Sequence, residues 1–448
     1  MKLVIIGAGG FRTPLLLKAL HQKFLDLGIS QIVLYDTDQE RQKLVNNLIA
    51  YAVPDEIMQN NIRISGNARD ALRGADFVIT TFRAGGMEGR ILDERIPLKY
   101  GILGQETTGP GGFSMAMRSI PVMLDYVELM RQVCPDAWII NFANPSGLMT
   151  EAVLKLGKWD KVIGICDGPE SVRLFAAGMM GVDEAAVKLD YFGLNHLGWV
   201  RKVLINGMDI LPDFISQLED QSRMPGLPFS GWLLRTLEMI PNEYLYYYYY
   251  RSTAVNSILQ EEKTRGEYLH AQNTRLEKAL VKLQSENRFA DMWETYWEYL
   301  NERSHTYMQY ASDKPRQETK EEEHLGYANV AYRVIHGLIS GKVNTLVNVQ
   351  NQGAVSGMND DDVVEIPVLL SAGQITRSQI GAIPEHALAL MQQVKRYELS
   401  VIDAIKEHSY SKCLQALAFH PLVMDEALAR KILDDYVKAF RDQYPVLE

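Results

Sequence analysis

A chain of 448 residues is long enough to bury a large core in two domains, and 47% apolar with 23% charged residues is the balance of a globular protein rather than a disordered one. A formal net charge of −10 argues against a nucleic-acid partner, whose phosphates need clustered lysine and arginine. Three cysteines, Cys134, Cys166 and Cys413, build no disulfide framework, which fits a reducing cytoplasm where a thiol can bind metal; no apolar run reaches the about 18 residues of a membrane span.

Residues 3–6 are a continuous apolar run, the pattern of a strand buried on both faces, and are too few for a secretory signal. The turn that follows, Gly7-Ala8-Gly9-Gly10-Phe11-Arg12-Thr13-Pro14, opens an amphipathic helix expected over 15–25. Pro14 suits a first helical turn, where a missing N–H costs nothing. A second strand over 31–35 ends in Asp36. Strand, glycine turn, helix, strand and acid in this order form the first half of a Rossmann unit. Glycines let the backbone approach a pyrophosphate, and the helix N-terminus supplies N–H donors and positive dipole. The cofactor contacts expected here are Gly7, Gly9, Gly10, Phe11 and Arg12, with Asp36 on a ribose hydroxyl, which favours NAD over NADP. Arg12 stands where the third glycine of the fingerprint would fall.

The alternation continues with a helix over 38–53, strands over 63–65 and 76–82, and a polar stretch over 83–90. A glycine-dense loop over 101–112 is expected to lie near a ligand. A helix over 119–133, a strand over 137–142, a helix over 148–156 and a strand over 161–165 follow. Such alternation implies a parallel sheet wound on both faces, with ligands at the carboxyl ends of its strands. Arg83, Asn144 and Cys166 all lie just past such ends.

After about residue 190 the texture changes. Residues 191–205 look extended, with an Asn206-Gly207 hairpin turn. Helices are expected over 231–240, 269–283, 291–300, 325–340 and 384–409, strands over 343–349 and 363–370, and a charged loop over 315–323. The expected fold class is α/β, with an N-terminal Rossmann domain of the lactate/malate dehydrogenase kind over residues 1–190 and a C-terminal mixed α+β domain over residues 191–448. Tyrosines at 244 and 246–250 cannot all face one core, which suggests an aromatic helix at a domain or subunit interface.

Cys166 ends a central strand, and His196 sits between glycine-bearing turns. Thiolate plus imidazole is a metal-ligand pair that leaves positions open for substrate oxygens and water, and softness alone favours zinc. Tyr244 becomes a candidate base if a cation lies beside it, and Arg265 a candidate anion clamp. An ordinary 2-hydroxy acid dehydrogenase would need a His–Asp pair with arginines and no metal; a non-catalytic NAD sensor would need no such pair at all.

The chain resembles glycoside hydrolase family 4, the NAD- and metal-dependent glycosidases. The likeness spans nearly the whole chain: the glycine turn before Thr13-Pro14; Arg90 with Asp93-Glu94-Arg95; Gly104-Gln105-Glu106-Thr107; Asn141-Phe142-Ala143-Asn144-Pro145-Ser146-Gly147; Gly164-Ile165-Cys166; Gly193-Leu194-Asn195-His196; and Pro241 with Tyr244-Leu245. The 6-phospho-β-glucosidase branch is nearest in pattern. The resemblance implies hydride transfer from C3 of the sugar to NAD, loss of the C2 proton to Tyr244, elimination of the aglycone, addition of water and return of the hydride. This differs from hydrolysis by a carboxylate pair. It further implies metal ligands Cys166 and His196, manganese rather than zinc as the metal, and substrate contacts from Arg90, Asn144 and Arg265. The substrate implied is a phosphorylated disaccharide or glucoside, and the assembly a homodimer or homotetramer. Asp167 departs from the β-acting pattern, which most often has asparagine after the metal cysteine. An acid there occurs in α-acting relatives, so a general acid and a residue that orients metal-bound water both remain open for Asp167. An α-acting or unphosphorylated-glycoside enzyme is accordingly the alternative within the family.

Overall fold

A computed structural model describes residues 1–21, 27–54, 56–218, 228–306, 308, 326–339 and 341–448; the charged stretch 315–323 lies outside them. Six strands, β1 (Lys2–Ile6), β2 (Gln31–Tyr35), β3 (Ile62–Ser65), β4 (Phe77–Thr80), β5 (Trp138–Asn141) and β6 (Val162–Gly164), pair in parallel in the order β3-β2-β1-β4-β5-β6. This is the Rossmann order, and its switch point lies between β1 and β4, beside the glycine turn. Continuous apolar runs explain why these strands sit in the centre: Leu3, Val4, Ile5, Val78 and Ile79 are all 0% exposed.

The sheet does not stop at residue 190. The chain adds β7 (Val187–Leu194), β8 (Leu197–Ile205), β9 (Met208–Asp209), β10 (Ile240–Pro241), β11 (Lys342–Gln350), β12 (Val363–Ser371) and β13 (Gln374–Arg377). Strand β11 joins β6 in antiparallel fashion where Asn348 faces Gly164, and the order runs on through β12, β7, β8 and β10. The described residues thus share one thirteen-stranded sheet. The close pairing needs Gly164, because a Cβ there would meet Thr150 Oγ1 at 2.3 Å and Asn348 Cβ at 2.9 Å.

Several helices differ from expectation. The polar stretch 83–90 runs into the helix Gly86–Leu98. The helix expected from 119 starts at Pro110 and runs to Val133, so the loop before it covers only 99–109. Glycines in that first turn suggested loop, but packing requires them: a Cβ on Gly111 would meet Gln105 O at 2.0 Å, and one on Gly112 would meet Thr107 O at 2.2 Å. The first helix begins at Thr13 and is described to His21. The helix Gly168–Met180 and the C-terminal helices Tyr410–Phe419 and Glu426–Ala439 went unread. The tyrosine run is not one continuous helix. It bends through the short turns Glu243–Leu245 and Tyr246–Tyr249 into the helix Arg251–Gln260, which sends its rings in different directions. Tyr246 and Tyr247 are buried, Tyr249 Oη accepts from Trp199 Nε1 at 2.9 Å, and Tyr250 Oη accepts from Ser230 N–H at 3.2 Å.

One buried ion pair holds the helices next to the site. Arg118 on Pro110–Val133 bonds both oxygens of Asp93 on Gly86–Leu98, at 2.8 and 2.6 Å, and also Ser114 Oγ at 2.7 Å. The C-terminal segment seals it, with Tyr436 Oη donating to Asp93 O at 2.9 Å and Tyr444 Oη to Ser114 Oγ at 2.7 Å. Arg118→Ala leaves the Asp93 carboxylate buried and unpaired, so chemical denaturation should show about 3–5 kcal/mol of lost stability. A loss below about 1 kcal/mol, the range of an exposed pair, would contradict this.

Candidate active site

The cofactor end is built from β1, β2 and β4. Gly7 has φ +89°, and a Cβ on it would lie 2.5 Å from Phe82 N, so only glycine fits the crossing. Gly9 N–H donates to Asp36 Oδ2 at 2.8 Å, and Asp38 N–H to Asp36 Oδ1 at 2.9 Å. These two bonds aim the Asp36 carboxylate at the turn and leave it lone pairs for a diol. Gly10 is exposed on the turn and donates to Gly7 O at 3.2 Å. The Phe11 ring packs into the core against Tyr299, so this residue offers its backbone rather than its ring to the turn. Arg12 lies 3.8 Å from Asp167, both about half exposed, which joins the glycine turn to the cysteine loop.

The catalytic end is gathered by loops past β5, β6 and β7 and by the loop 99–109. His196 lies in the two-residue connection between β7 and β8, in the left-handed region at φ +63°. Its strands can close this tightly because Gly193 faces Gly198; a Cβ on Gly193 would be 2.3 Å from Gly198 Cα. His196 Nδ1 lies 2.9 Å from Thr107 Oγ1. Burial lowers the pKa of the imidazole to about 4, with Glu106 and Asp167 opposing, so the ring is neutral near pH 7. Strand β10 runs beside β8, and Asn242 then caps the turn that carries Tyr244, its Oδ1 accepting Tyr244 N–H at 3.0 Å. The Tyr244 ring thereby stacks on the His196 ring, centroids 3.7 Å apart and planes within 12°.

Arg90 is buried beside them and pairs with Glu94 Oε1 and Glu106 Oε2, both at 2.8 Å. Burial disfavours its charge, but Glu106, Glu94 and the phenolate charge of Tyr244 raise its pKa above the ordinary value. Glu106 also accepts from Arg83 at 2.6 Å. Burial would raise its pKa, yet Arg90 and Arg83 bring it down to about 2.

Cys166 Sγ is 3.9 Å from Asp167 Oδ1. Burial pushes the thiol's pKa well up, Glu365 and Asp167 add to the rise, and Gly168 N–H and the Asn195 side chain oppose it. A thiolate at this position calls for a nearby cation. Asn195, adjacent to His196, in turn donates to buried Glu365 at 3.3 Å, which also accepts from Tyr191 at 2.6 Å and Asn348 at 3.1 Å. No group of three or more metal-ligating His, Cys, Asp or Glu occurs among the described residues, so Cys166 and His196 are the two candidate ligands. Their donor set fits a metal with open positions, since Thr107 occupies Nδ1 and leaves the other ring nitrogen for the ion.

Asn144 is half-buried at the end of β5, where the Asn144–Pro145 peptide is cis. Arg265 opens the helix Arg265–Ser285 and donates to Thr306 Oγ1 at 2.6 Å and Arg303 O at 2.7 Å. Sequence reading missed Arg303. It lies past the expected helix end at 300, yet burial and the like charges of Arg12 and Arg90 work against its proton, with Tyr299 opposing. It also missed Thr107, Asn195 and Glu365 as supports of the site. Thr107 and Asn195 stood inside quoted motifs; nothing local marks Glu365 or Arg303.

A Rossmann-ordered sheet with a thiol, an imidazole and a phenol at its carboxyl edge has the layout of an enzyme that uses a dinucleotide and a metal. A model of the family 4 glycosyl hydrolases matches residues 2–182, and a model of the family's C-terminal domain matches residues 191–423. The chain belongs to the family 4 glycosyl hydrolases. It is 33% identical over 445 residues to a 6-phospho-β-glucosidase of Thermotoga maritima, covering 99% of both chains. A solved structure of the Thermotoga maritima 6-phospho-β-glucosidase with manganese, NAD+ and glucose-6-phosphate superimposes with TM-score 0.84 at 32% identity, over 100% of both chains. A 6-phospho-α-glucosidase from gut microorganisms, with NAD and Mn2+, gives 0.81 at 26% identity over 100% of this chain and 99% of the other. Softness alone suggested zinc here, whereas both of those solved structures hold manganese. Positions left open by the thiol and imidazole admit hard oxygen donors, which suit it.

Proposed function

We propose that this chain hydrolyses the O-glycosidic bond of 6-phosphorylated β-glucosides, using NAD and manganese without consuming either. The observation that carries the reading is the Tyr244 ring stacked on the His196 ring, centroids 3.7 Å apart. That arrangement puts a base next to a metal imidazole. When bound, NAD and manganese supply reversible oxidation at C3 and polarisation of the sugar oxygens. Gly7, Gly9, Gly10, Phe11 and Arg12 carry the cofactor, with Asp36 on its ribose. Cys166 and His196 hold the metal, Tyr244 removes the C2 proton, and Arg90 keeps that phenol ready. Asn144 and Arg265 orient the sugar. Arg12 and Arg303 converge from opposite halves of the chain, and such like charges suit a phosphate dianion. In this reading residues 1–190 bind NAD and residues 191–448 complete the metal and substrate site.

Asp167 carries a second reading, an α-acting enzyme. It lies beside both Cys166 and Arg12, where an acid can protonate a leaving oxygen. The thiol must stay reduced, which points to the cytoplasm, and we place the chain there as a homodimer or homotetramer. No helix among the described residues is long and apolar enough to cross a membrane. The test is release of nitrophenol from 6-phosphorylated and unphosphorylated α- and β-nitrophenyl glucosides and galactosides, with NAD, manganese and reductant. Turnover of the 6-phospho-β-glucoside is expected, with no net absorbance at 340 nm. Release from the α-anomer alone would select the second reading, and steady NADH accumulation would overturn both.

A further inference from the structure

The loop 99–109 carries a chain of hydrogen bonds that ends at the His196 ring. Gln105 Oε1 accepts from Thr107 N–H at 2.7 Å and from Thr108 N–H at 2.6 Å. Backbone N–H groups only donate, so this end of the amide is its oxygen and not its nitrogen. Thr107 Oγ1 lies 3.1 Å from the same oxygen. An amide oxygen can only accept, so Gln105 gives the hydroxyl proton a place to go. Thr107 Oγ1 also lies 2.9 Å from His196 Nδ1. With its proton turned to Gln105, the hydroxyl presents a lone pair to Nδ1, the arrangement that suits a hydrogen on Nδ1 and a bare Nε2.

We propose that Thr107, held by Gln105, is a positioning residue that locks His196 in the Nδ1–H tautomer and so presents Nε2 to the divalent metal. The inference rests on the reading of His196 as a metal ligand. Two features make the lock rigid. The first turn of the helix Pro110–Val133 clamps the loop, since Gly111 and Gly112 lie against the carbonyls of Gln105 and Thr107 with no room for a Cβ. The Tyr244 ring lies flat on the imidazole and sets its plane, so the ring's in-plane support comes from Thr107. A metal-bound histidine whose other nitrogen is held this way keeps its orientation and tautomer without the ion, which lowers the cost of binding it.

The test is titration of NAD-loaded protein with Mn2+, followed by the electron paramagnetic resonance signal of the free ion, with NAD affinity and thermal midpoint measured alongside. Thr107→Val keeps the shape and removes the hydroxyl. It should weaken Mn2+ about 10- to 100-fold, as loss of an outer partner of a ligating histidine does, with NAD affinity and midpoint unchanged. Thr107→Ala, which relieves any clash from valine, should weaken Mn2+ likewise, and Thr107→Ser, which restores the hydroxyl, should recover most of the affinity. Wild-type Mn2+ affinity in Thr107→Val or Thr107→Ala overturns the inference, as does Thr107→Ser binding as weakly as Thr107→Val. His196→Ala separates the two levels: if it keeps wild-type affinity the ligand reading itself fails, whereas its loss beside an unaffected Thr107→Val removes only the role of Thr107.

Discussion

Cys166→Ser is expected to lose manganese binding and turnover together while NAD still binds. Serine is smaller than cysteine by little, so the loop past β6 has no steric reason to move. Its hydroxyl, however, is neutral where a metal needs an anionic thiolate. The structure sharpens this expectation. Burial already disfavours a charge at Cys166, and Glu365 and Asp167 add to the cost, so only a side chain that ionises readily can supply an anion there. The glycine turn and Asp36 belong to β1 and β2 and bond one another rather than Cys166, which is why NAD affinity should survive. Turnover should fall at least about 10³-fold, the roughly 4 kcal/mol that a Lewis acid contributes to such a barrier. His196→Ala should match it. Near-wild-type turnover in either variant would show that the metal lies elsewhere.

Tyr244→Phe should lower turnover by about 10² to 10⁴, the range of a general base, and should abolish deuterium incorporation at C2 of product formed in heavy water. Phenylalanine still stacks on His196, so manganese and NAD affinities should hold, and the loss falls on kcat rather than on binding. In the proposed mechanism a cation must favour the phenolate, which is otherwise rare near neutral pH, and Arg90, whose charge interacts with Tyr244, is the group proposed for that role. Continued exchange at the wild-type rate would move the base to another residue. Tyr246 is a poor substitute, being 1% exposed and stacked on Tyr250 at 5.3 Å.

Short-range pattern made much of this molecule legible. Strands β1, β2, β4, β5 and β6 announce themselves as apolar runs because a parallel sheet covered on both faces has no polar side to show. The Asn206-Gly207 turn was readable for a similar reason: both residues take positive φ, at 51° and 82°, which few other pairs do without strain. The glycines of the helix Pro110–Val133 misled. They were chosen for close contact with carbonyls from another segment, and local propensity carries no trace of that contact.

The sequence by itself determined the Rossmann half, the cofactor turn and the residue types of the site, because each is written in neighbouring residues or in a family pattern. Tertiary structure decided which of those residues support one another. Arg90 stood in a motif as a substrate contact, and only the fold shows it buried between Glu94 and Glu106 with Tyr244 at its side. Glu365 and Asn348 reach the site because β11 and β12 extend the sheet past β6, whereas Arg303 comes from the helix Phe289–His305, which packs on Arg265–Ser285. Hydrogen-bond partnership is likewise a tertiary property: Thr107 is one threonine among many until the fold sets its hydroxyl between Gln105 Oε1 and His196 Nδ1.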